Sequence, residues 1–451
     1  MKRIVLALLV SIMCFCSISI IHAQQTGEYD LILKGGHVID PLNNIDGKMD
    51  VAVLDGKIAL VAKNIPPDAA KQDVDDEGMI RVIDAEGYYV APGSLDIHAH
   101  TNYPGENRIN ARDHCFNSGV TTICDAGSMG ANNIQDMLDL YYDEDLNIEG
   151  YWNPRVLAFL SISANGSAGR GHKAQFNVPL AVEVAKKYPG IIVGFKSYCM
   201  GDYDGDVWAD VDASIEASRQ TGLPVMYDFS QIRANGDTPS RSYNELITEK
   251  MLPGHIHTHW SAQQFPVLLN DGTPNPNMVA AQKRGIIFDV GHGSGSMVFR
   301  NAYRLIQQGF YPNSISTDLH GRNSNSPVYN MTNVMSKFLC MGMSLEHVIR
   351  CSTINPANEI NHPELGHLSV GAVADIAVLE VIEGNFTYTD CSPGQNLTGG
   401  GRFKGNRKIQ SVMTLFGGNI VHDIIGLSYR WWDEIPEDDA YWRGQFRYQD
   451  M

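Results

Sequence analysis

The sequence predicts an α/β protein in which a (β/α)₈ barrel is flanked by a β-sandwich built from both ends of the chain. Through the middle of the chain, eight short apolar runs alternate with stretches of helical periodicity. The two ends carry short strand-like runs joined by tight turns. With 451 residues, of which 43% are hydrophobic, the chain is long enough for one large barrel and an accessory domain.

The charge balance excludes one class of partner. The chain has 34 Lys and Arg against 51 Asp and Glu, a formal net charge of −17. Nucleic-acid binding needs a basic surface, and anionic membranes also attract basic segments. We therefore expect a small-molecule substrate, no nucleic acid and no stable membrane association, and the composition leaves a homo-oligomer open.

The first residues form a predicted targeting segment. Lys2 and Arg3 precede an apolar run that ends at Ile21, and a small residue, Ala23, stands where a signal peptidase would cut. A signal peptide over residues 1–23 predicts a periplasmic or secreted protein. A membrane anchor is the alternative, because the run is nearly long enough to span a bilayer. Six cysteines follow this segment without a C-x-x-C pair, and we interpret them mainly as buried apolar side chains.

The pattern of strand-like and helical segments divides the rest of the chain into three parts. Residues 24–91 are β-rich and include Asp55-Gly56, a strong hairpin signal. Residues 92–368 form the predicted barrel, in which Met331, Val334, Met335 and neighbouring apolar side chains mark one helix face. Residues 369–451 return to the sandwich and end in a polar tail. The candidate barrel strands are residues 95–97, 120–124, 155–160, 191–195, 224–227, 255–258, 286–290 and 314–317.

An H-x-H pair follows the first candidate barrel strand. His98 and His100 are two residues apart, so on an extended strand both side chains point to the same side. Active sites of such barrels lie at the carboxyl ends of the strands. Imidazole nitrogen is a good ligand for divalent metals, so the pair predicts a metal site at the barrel mouth. Two ordinary surface histidines are the alternative.

Three more ligand-type residues end later strands. A lysine at the end of an apolar strand, Lys196, can be neutral when buried and can then react with carbon dioxide to give a carbamate that bridges two cations. A lysine that reaches solvent is the alternative. Of His255, His257 and His259, we favour His259 because it is nearest the strand's end. Asp318 can ligate metal and accept a proton from water, although turn residues are often Asp as well.

The combination of these residues in chain order resembles the amidohydrolase superfamily, and most closely its dihydroorotase-like branch, which includes deacetylases and D-aminoacylase relatives. The resemblance covers nearly the whole chain after the targeting segment. It rests on residues 91–100, 288–296, 314–320, 335–337 and 371–379.

The resemblance implies a ligand set. His98, His100 and Asp318 would hold the more buried of two divalent metals, and His259 the more exposed one. Lys196, as N6-carboxylysine, would bridge them. Zinc is the metal we expect, and manganese or iron would tolerate the same ligands.

One position departs from the branch. At the end of the fifth strand the branch usually has a histidine, and here Asp228 stands in that place. Carboxylate is a competent ligand for zinc or manganese, so we expect Asp228 to ligate. A mononuclear site and an altered chemistry are the alternatives.

The predicted reaction is hydrolysis of an amide or cyclic amide of a small, carboxylate-bearing substrate by metal-bound hydroxide. Asp318 would move the proton, and His292, in a glycine-rich segment, would contact the substrate or the developing oxyanion. Arg322 would pair with the substrate carboxylate, and Arg170 and His172 are rival contacts. A carboxylesterase acting on acylated hydroxy acids, a deaminase, and a metal-binding protein that lost catalysis through Asp228 remain alternatives.

Overall fold

The computed structural model describes residues 27–75, 78–101, 108–143, 152–169, 172–198, 208–228, 243–392 and 400–436. The predicted signal peptide, Arg170 and Cys199 lie outside these residues. The five cysteines within them are free, and four of those are buried. Within the same ranges, no helix combines the length and apolar character that a membrane span requires.

The described strands and helices alternate through the middle of the chain, as predicted. The strands are β1 (Leu31–Asp40), β2 (Ile45–Leu54), β3 (Lys57–Ala62), β4 (Val82–Asp84), β5 (Tyr89–Pro92), β6 (Ser94–Ala99), β7 (Val120–Gly130), β8 (Arg155–Ser161), β9 (Ile192–Ser197), β10 (Val225–Tyr227), β11 (Ile256–His257), β12 (Ile287–Phe288), β13 (Ile376–Thr389), β14 (Arg402–Phe416) and β15 (Asn419–Asp423). The helices are α1 (Ala111–Cys115), α2 (Ile134–Tyr142), α3 (Val178–Lys187), α4 (Ala209–Thr221), α5 (Tyr243–Glu245, continued by a π-helical turn), α6 (Pro276–Lys283), α7 (Phe299–Gln307), α8 (Met331–Met341), α9 (Leu345–Ser352) and α10 (Ile354–Glu359).

A parallel barrel forms the centre of the described chain. Strands β6 to β12 pair in chain order, each parallel to the next. The segment 314–319 closes the circle through parallel bridges from Ser314 to Asp289 and from Leu319 to Ala99. This eighth position lacks a regular ladder because side chains take backbone partners there; the Thr317 N–H, for example, donates to Asp96 Oδ1 at 3.0 Å. The predicted barrel is confirmed.

Both ends of the chain meet in one separate sheet. In the described residues its order is β15-β14-β13-β5-β1-β2-β3, and β4 pairs with β1 on the same edge as β5. Apolar side chains from both ends, among them Leu31, Val53 and Leu415, share one buried cluster. The hairpin between β2 and β3 turns at Asp55 and Gly56, whose φ angles of 50° and 72° are those of the predicted tight turn.

Helix α8 joins the barrel to this sheet. Its predicted apolar face is buried, and Ser336 Oγ accepts a hydrogen bond from the Ile409 N–H of β14 at 2.8 Å. The next residue along the helix, Lys337, is also completely buried. The helix thus carries a lysine amine into the interior of the protein.

Candidate metal centre

The end of β6 places two imidazoles beside Asp318. His100 Nε2 lies 3.2 Å and His98 Nε2 3.6 Å from Asp318 Oδ1. The ligand atoms of all three residues lie within 4.8 Å of one another. Strand alternation brings the two histidines to one side, as the sequence predicted, and barrel closure brings Asp318 to them from 218 residues along the chain.

Asp318 is held in a strained conformation. Its φ is 47°, its N–H donates to His98 O at 2.5 Å, and Asn323 Nδ2 donates to its carbonyl at 2.8 Å. Burial alone would raise the pKa of this carboxyl, but the hydrogen bond and charge of His100, with His320 and His259, hold the pKa below its usual value. Asp318 is therefore a carboxylate at neutral pH and can accept a proton.

Lys196 points into the same cluster. It is fully buried on β9, and its Nζ lies 3.0 Å from His98 Nε2 and 3.7 Å from Met226 Sδ. Gly127, with a φ of 84°, makes room for the stem, since a Cβ there would approach Lys196 Cγ to 2.6 Å. The alternative of a lysine that reaches solvent is excluded.

His259 and Asp228 form a second pair at the centre. His259 Nε2 lies 3.1 Å from Asp228 Oδ1, and its ring centroid is 5.4 Å from that of His98. Burial would lower the pKa of His259, but Asp228 raises it above the ordinary value. The other two candidates face elsewhere: His257 contacts the Tyr243 hydroxyl at 2.8 Å, and His255 contacts Ser218 Oγ at 3.1 Å.

Each of the three site histidines keeps its Nε2 toward the cluster because its Nδ1 is already engaged. His98 Nδ1 pairs with Thr258 Oγ1 and His100 Nδ1 with Ser128 Oγ, both at 2.8 Å. His259 Nδ1 donates to the Gly291 carbonyl at 2.7 Å. Outer partners of this kind fix the tautomer and orientation of metal-binding histidines. The donor set therefore fits divalent cations.

Two buried carboxylates accept hydrogen bonds from hydroxyl groups around the histidines. Asp289 accepts hydrogen bonds from three hydroxyls, those of Thr258 and Ser316 at 2.7 Å and of Ser314 at 3.0 Å, and burial raises its pKa. Asp96 accepts from Thr317 Oγ1 at 2.5 Å, and burial raises its pKa to about 7. Both residues lie in segments that carry the family resemblance, but the sequence analysis assigned neither of them a role at the site.

The residues predicted to contact the substrate do not belong to the cluster of ligand atoms. His292 is completely buried, and both ring nitrogens have protein partners, Gly293 O at 2.9 Å and Lys337 Nζ at 2.7 Å. Arg322 and His172 are exposed, and Arg170 lies outside the described residues. All four assignments stay predictions, and His292 can contact a substrate only by exchanging one of these partners.

Sequence reasoning missed an arginine at this edge of the barrel. Arg108 is half-buried, and its Nη2 donates to Ser128 O at 3.4 Å and to Ser167 Oγ at 3.3 Å. Ser128 in turn contacts His100. Within the part of the chain that the structure describes, no carboxylate pairs with Arg108. Its position in the segment that follows the H-x-H pair was an available signal.

Comparison with known proteins finds similarity to amidohydrolases and related enzymes. The model of the amidohydrolase family matches residues 292–421. A deacetylase of Enterococcus faecalis is 27% identical over 407 residues, which cover 87% of this chain and 99% of the deacetylase. The crystal structure of an adenine deaminase has a TM-score of 0.73 at 25% identity, covering 87% of this chain and 99% of its own. That of a dihydroorotase has a TM-score of 0.68 at 24% identity, with the same two coverages, and supports the fold.

Proposed function

We propose that this chain deacylates small amides that carry a carboxylate. It belongs to the amidohydrolase superfamily, in its dihydroorotase-like branch, and is a metal-dependent hydrolase of C–N bonds. The observation that carries the proposal is the cluster of His98, His100 and Asp318 at the barrel mouth. The likeness to a deacetylase along 99% of that protein's length supports the removal of an acyl group.

The ligand set of the proposal is dinuclear. His98, His100 and Asp318 would hold one divalent cation and His259 and Asp228 the other, and Lys196, after its neutral amine reacts with carbon dioxide and releases one proton, would supply a carbamate as a shared ligand. The 3.0 Å approach of Lys196 Nζ to His98 Nε2 and the 3.1 Å approach of Asp228 to His259 support these assignments. Such cations, zinc in our proposal, supply Lewis acidity at the substrate carbonyl and make water more acidic.

The chain itself supplies proton transfer. The carboxylate of Asp318, which its lowered pKa keeps ionised, accepts the proton of the attacking water and then donates that proton to the leaving nitrogen. The strained backbone and the close approach of Gly293 to Oδ2 hold the carboxylate in one orientation. A leaving amine needs this proton, whereas an alkoxide leaving group needs it less.

The substrate carboxylate needs a cationic partner near the centre. Arg108 supports this part of the proposal, because a half-buried guanidinium with no described acidic partner suits a carboxylate. Arg322, Arg170 and His172 remain the rival contacts.

A substrate panel tests the proposal. Metal-supplemented enzyme is assayed on N-acetyl amino acids, their methyl esters, O-acetyl hydroxy acids, dihydroorotate and adenine. We expect the fastest turnover on N-acetyl amino acids with a free carboxylate. Asp318→Asn should abolish it, and Asp271→Asn, in an exposed turn, should not. Faster turnover of O-acetyl hydroxy acids would assign an esterase instead, and ammonia release from adenine a deaminase.

Export is a separate part of the proposal. The segment 1–23 supports cleavage near Ala23 and a periplasmic or secreted enzyme. Sequencing the amino terminus of the protein from its native host should give Gln24 as the first residue, and an intact Met1 in a membrane fraction would indicate an anchor.

A further inference from the structure

Lys337 is a buried amine whose hydrogen bonds are all accounted for. It is completely buried on α8, and its Nζ donates to Pro327 O at 2.7 Å, Thr389 O at 2.8 Å and His292 Nε2 at 2.7 Å. Burial lowers its pKa to about 7, although Asp390 favours the ammonium form. A lysine is buried this deeply only at a cost, so its contacts call for a specific explanation.

The partners of His292 fix its tautomer. Gly293 O can only accept, so His292 Nδ1 carries the hydrogen in this 2.9 Å contact. Burial and the neighbouring Lys337 lower the pKa of His292 well below its ordinary value, so the ring is neutral. Nε2 is then an acceptor and takes its hydrogen bond from Lys337. A ring engaged in this way is suited to holding structure and poorly suited to moving protons.

The segment that His292 anchors contacts both halves of the metal centre. On one side, the Gly291 carbonyl accepts from His259 Nδ1 at 2.7 Å. On the other, Gly293 lies directly against Asp318, where a Cβ would come within 2.4 Å of Oδ2. A displacement of residues 291–293 would therefore reorient a proposed ligand and the proposed proton acceptor together.

We propose that Lys337 is a positioning residue that acts through His292: the lysine holds the ring, the ring holds residues 291–293, and these orient His259 and Asp318. This inference rests on the proposed metal-dependent hydrolysis. It replaces a direct substrate contact of His292 with an indirect role. It also gives a function to a lysine that neither the metal ligands nor the proton transfer require.

The test compares two neighbouring buried residues on α8. Lys337→Met keeps the length and removes the donors, whereas Ser336→Ala removes a buried hydroxyl that bonds Ile409 of the sheet. Each variant is prepared with Co²⁺, and we record its visible absorption spectrum, its metal content, its thermal unfolding, and kcat and KM on the best substrate of the panel. The absorption bands report the geometry of the metal ligands independently of turnover.

We expect Lys337→Met to shift the Co²⁺ bands and lower kcat about 10- to 100-fold with KM nearly unchanged. Ser336→Ala should lower the unfolding temperature and leave the bands and kcat as in the wild type. If Lys337 acts through His292, the double variant with His292→Gln should have the kcat of His292→Gln alone.

Three results would overturn the inference: wild-type bands and kcat in Lys337→Met, equal effects of Lys337→Met and Ser336→Ala, or multiplied losses in the double variant. If Lys337→Met does not fold, Lys337→Leu, which also lacks the donors, takes its place under the same criteria. If no panel substrate is hydrolysed, the proposed function fails, while the Co²⁺ bands still decide the positioning role.

Discussion

Removing the hydroxyl of Thr258 tests how the residues that contact Nδ1 of the site histidines control metal binding. Thr258 Oγ1 donates to Asp289 Oδ2 at 2.7 Å and therefore accepts from His98 Nδ1, 2.8 Å away. Thr258→Val keeps the shape and leaves the His98 N–H without a partner in a site where both groups are completely buried. The Asp289 oxygen lies 3.7 Å from Nδ1, too far for a hydrogen bond unless the ring moves.

Two reference values give the expected losses of stability and of metal affinity in Thr258→Val. An unsatisfied buried donor costs about 1–3 kcal/mol. Loss of an outer partner of a metal-binding histidine weakens metal binding about 10- to 100-fold, which corresponds to about 1.4–2.8 kcal/mol. The first value predicts a loss of about 1–3 kcal/mol in the stability of the fold, and the second predicts that Thr258→Val binds metal about 10- to 100-fold more weakly than the wild type.

Competition against a chelator of known affinity measures this change directly. Thr414→Val is the matched control, because Thr414 is equally buried and donates to Phe116 O at 2.7 Å in the contact between barrel and sheet. Its metal affinity should match that of the wild type. A metal affinity of Thr258→Val within threefold of the wild type would refute the reasoning that the hydroxyl fixes the imidazole.

Three further outcomes are expected. Gly293→Ala should lose at least 100-fold in kcat because its Cβ would meet Asp318 Oδ2, whereas Gly309→Ala, with a similar positive φ and open space, should keep its kcat; equal losses would contradict a steric cause. Asp228→Ala should carry fewer metal ions per chain by elemental analysis, and an unchanged stoichiometry would count against ligation. Burial raises the pKa of Glu359 from 4.5 to about 8, so the native state holds an extra proton and stability falls as pH rises from about 4.5 to 8. Glu359→Gln should remove part of that fall in denaturant midpoints at pH 5 and pH 9, and parallel pH profiles would contradict this.

The barrel and its first ligands could be predicted because they follow from local rules. Alternation along a strand is fixed by backbone geometry, so two histidines two residues apart had to share a side. The hairpin at Asp55-Gly56 and the apolar face of α8 follow equally from local conformation and periodicity. The eighth strand was also predicted, as a strand-like run over residues 314–317, although its regular ladder is interrupted.

The supporting contacts could not be predicted, because they join distant residues. Lys337 meets His292 from 45 residues along the chain, and Thr258 meets His98 from 160 residues away. In sequence, a lysine on a helix and a threonine after a strand are both commonly exposed. Their burial depends on how α8 and the strand ends pack, which no local pattern records.

By itself, the sequence determined the order of strands and helices and which ligand types stand at the strand ends, since both depend on residues within a few positions of one another. The tertiary structure decided which nitrogen of each histidine faces the cluster, that Lys196 is buried, and that Asp228 faces His259. These features depend on hydrogen bonds and burial between segments that meet only when the barrel closes. The chemistry of the centre therefore depends on that closure as much as on the ligands themselves.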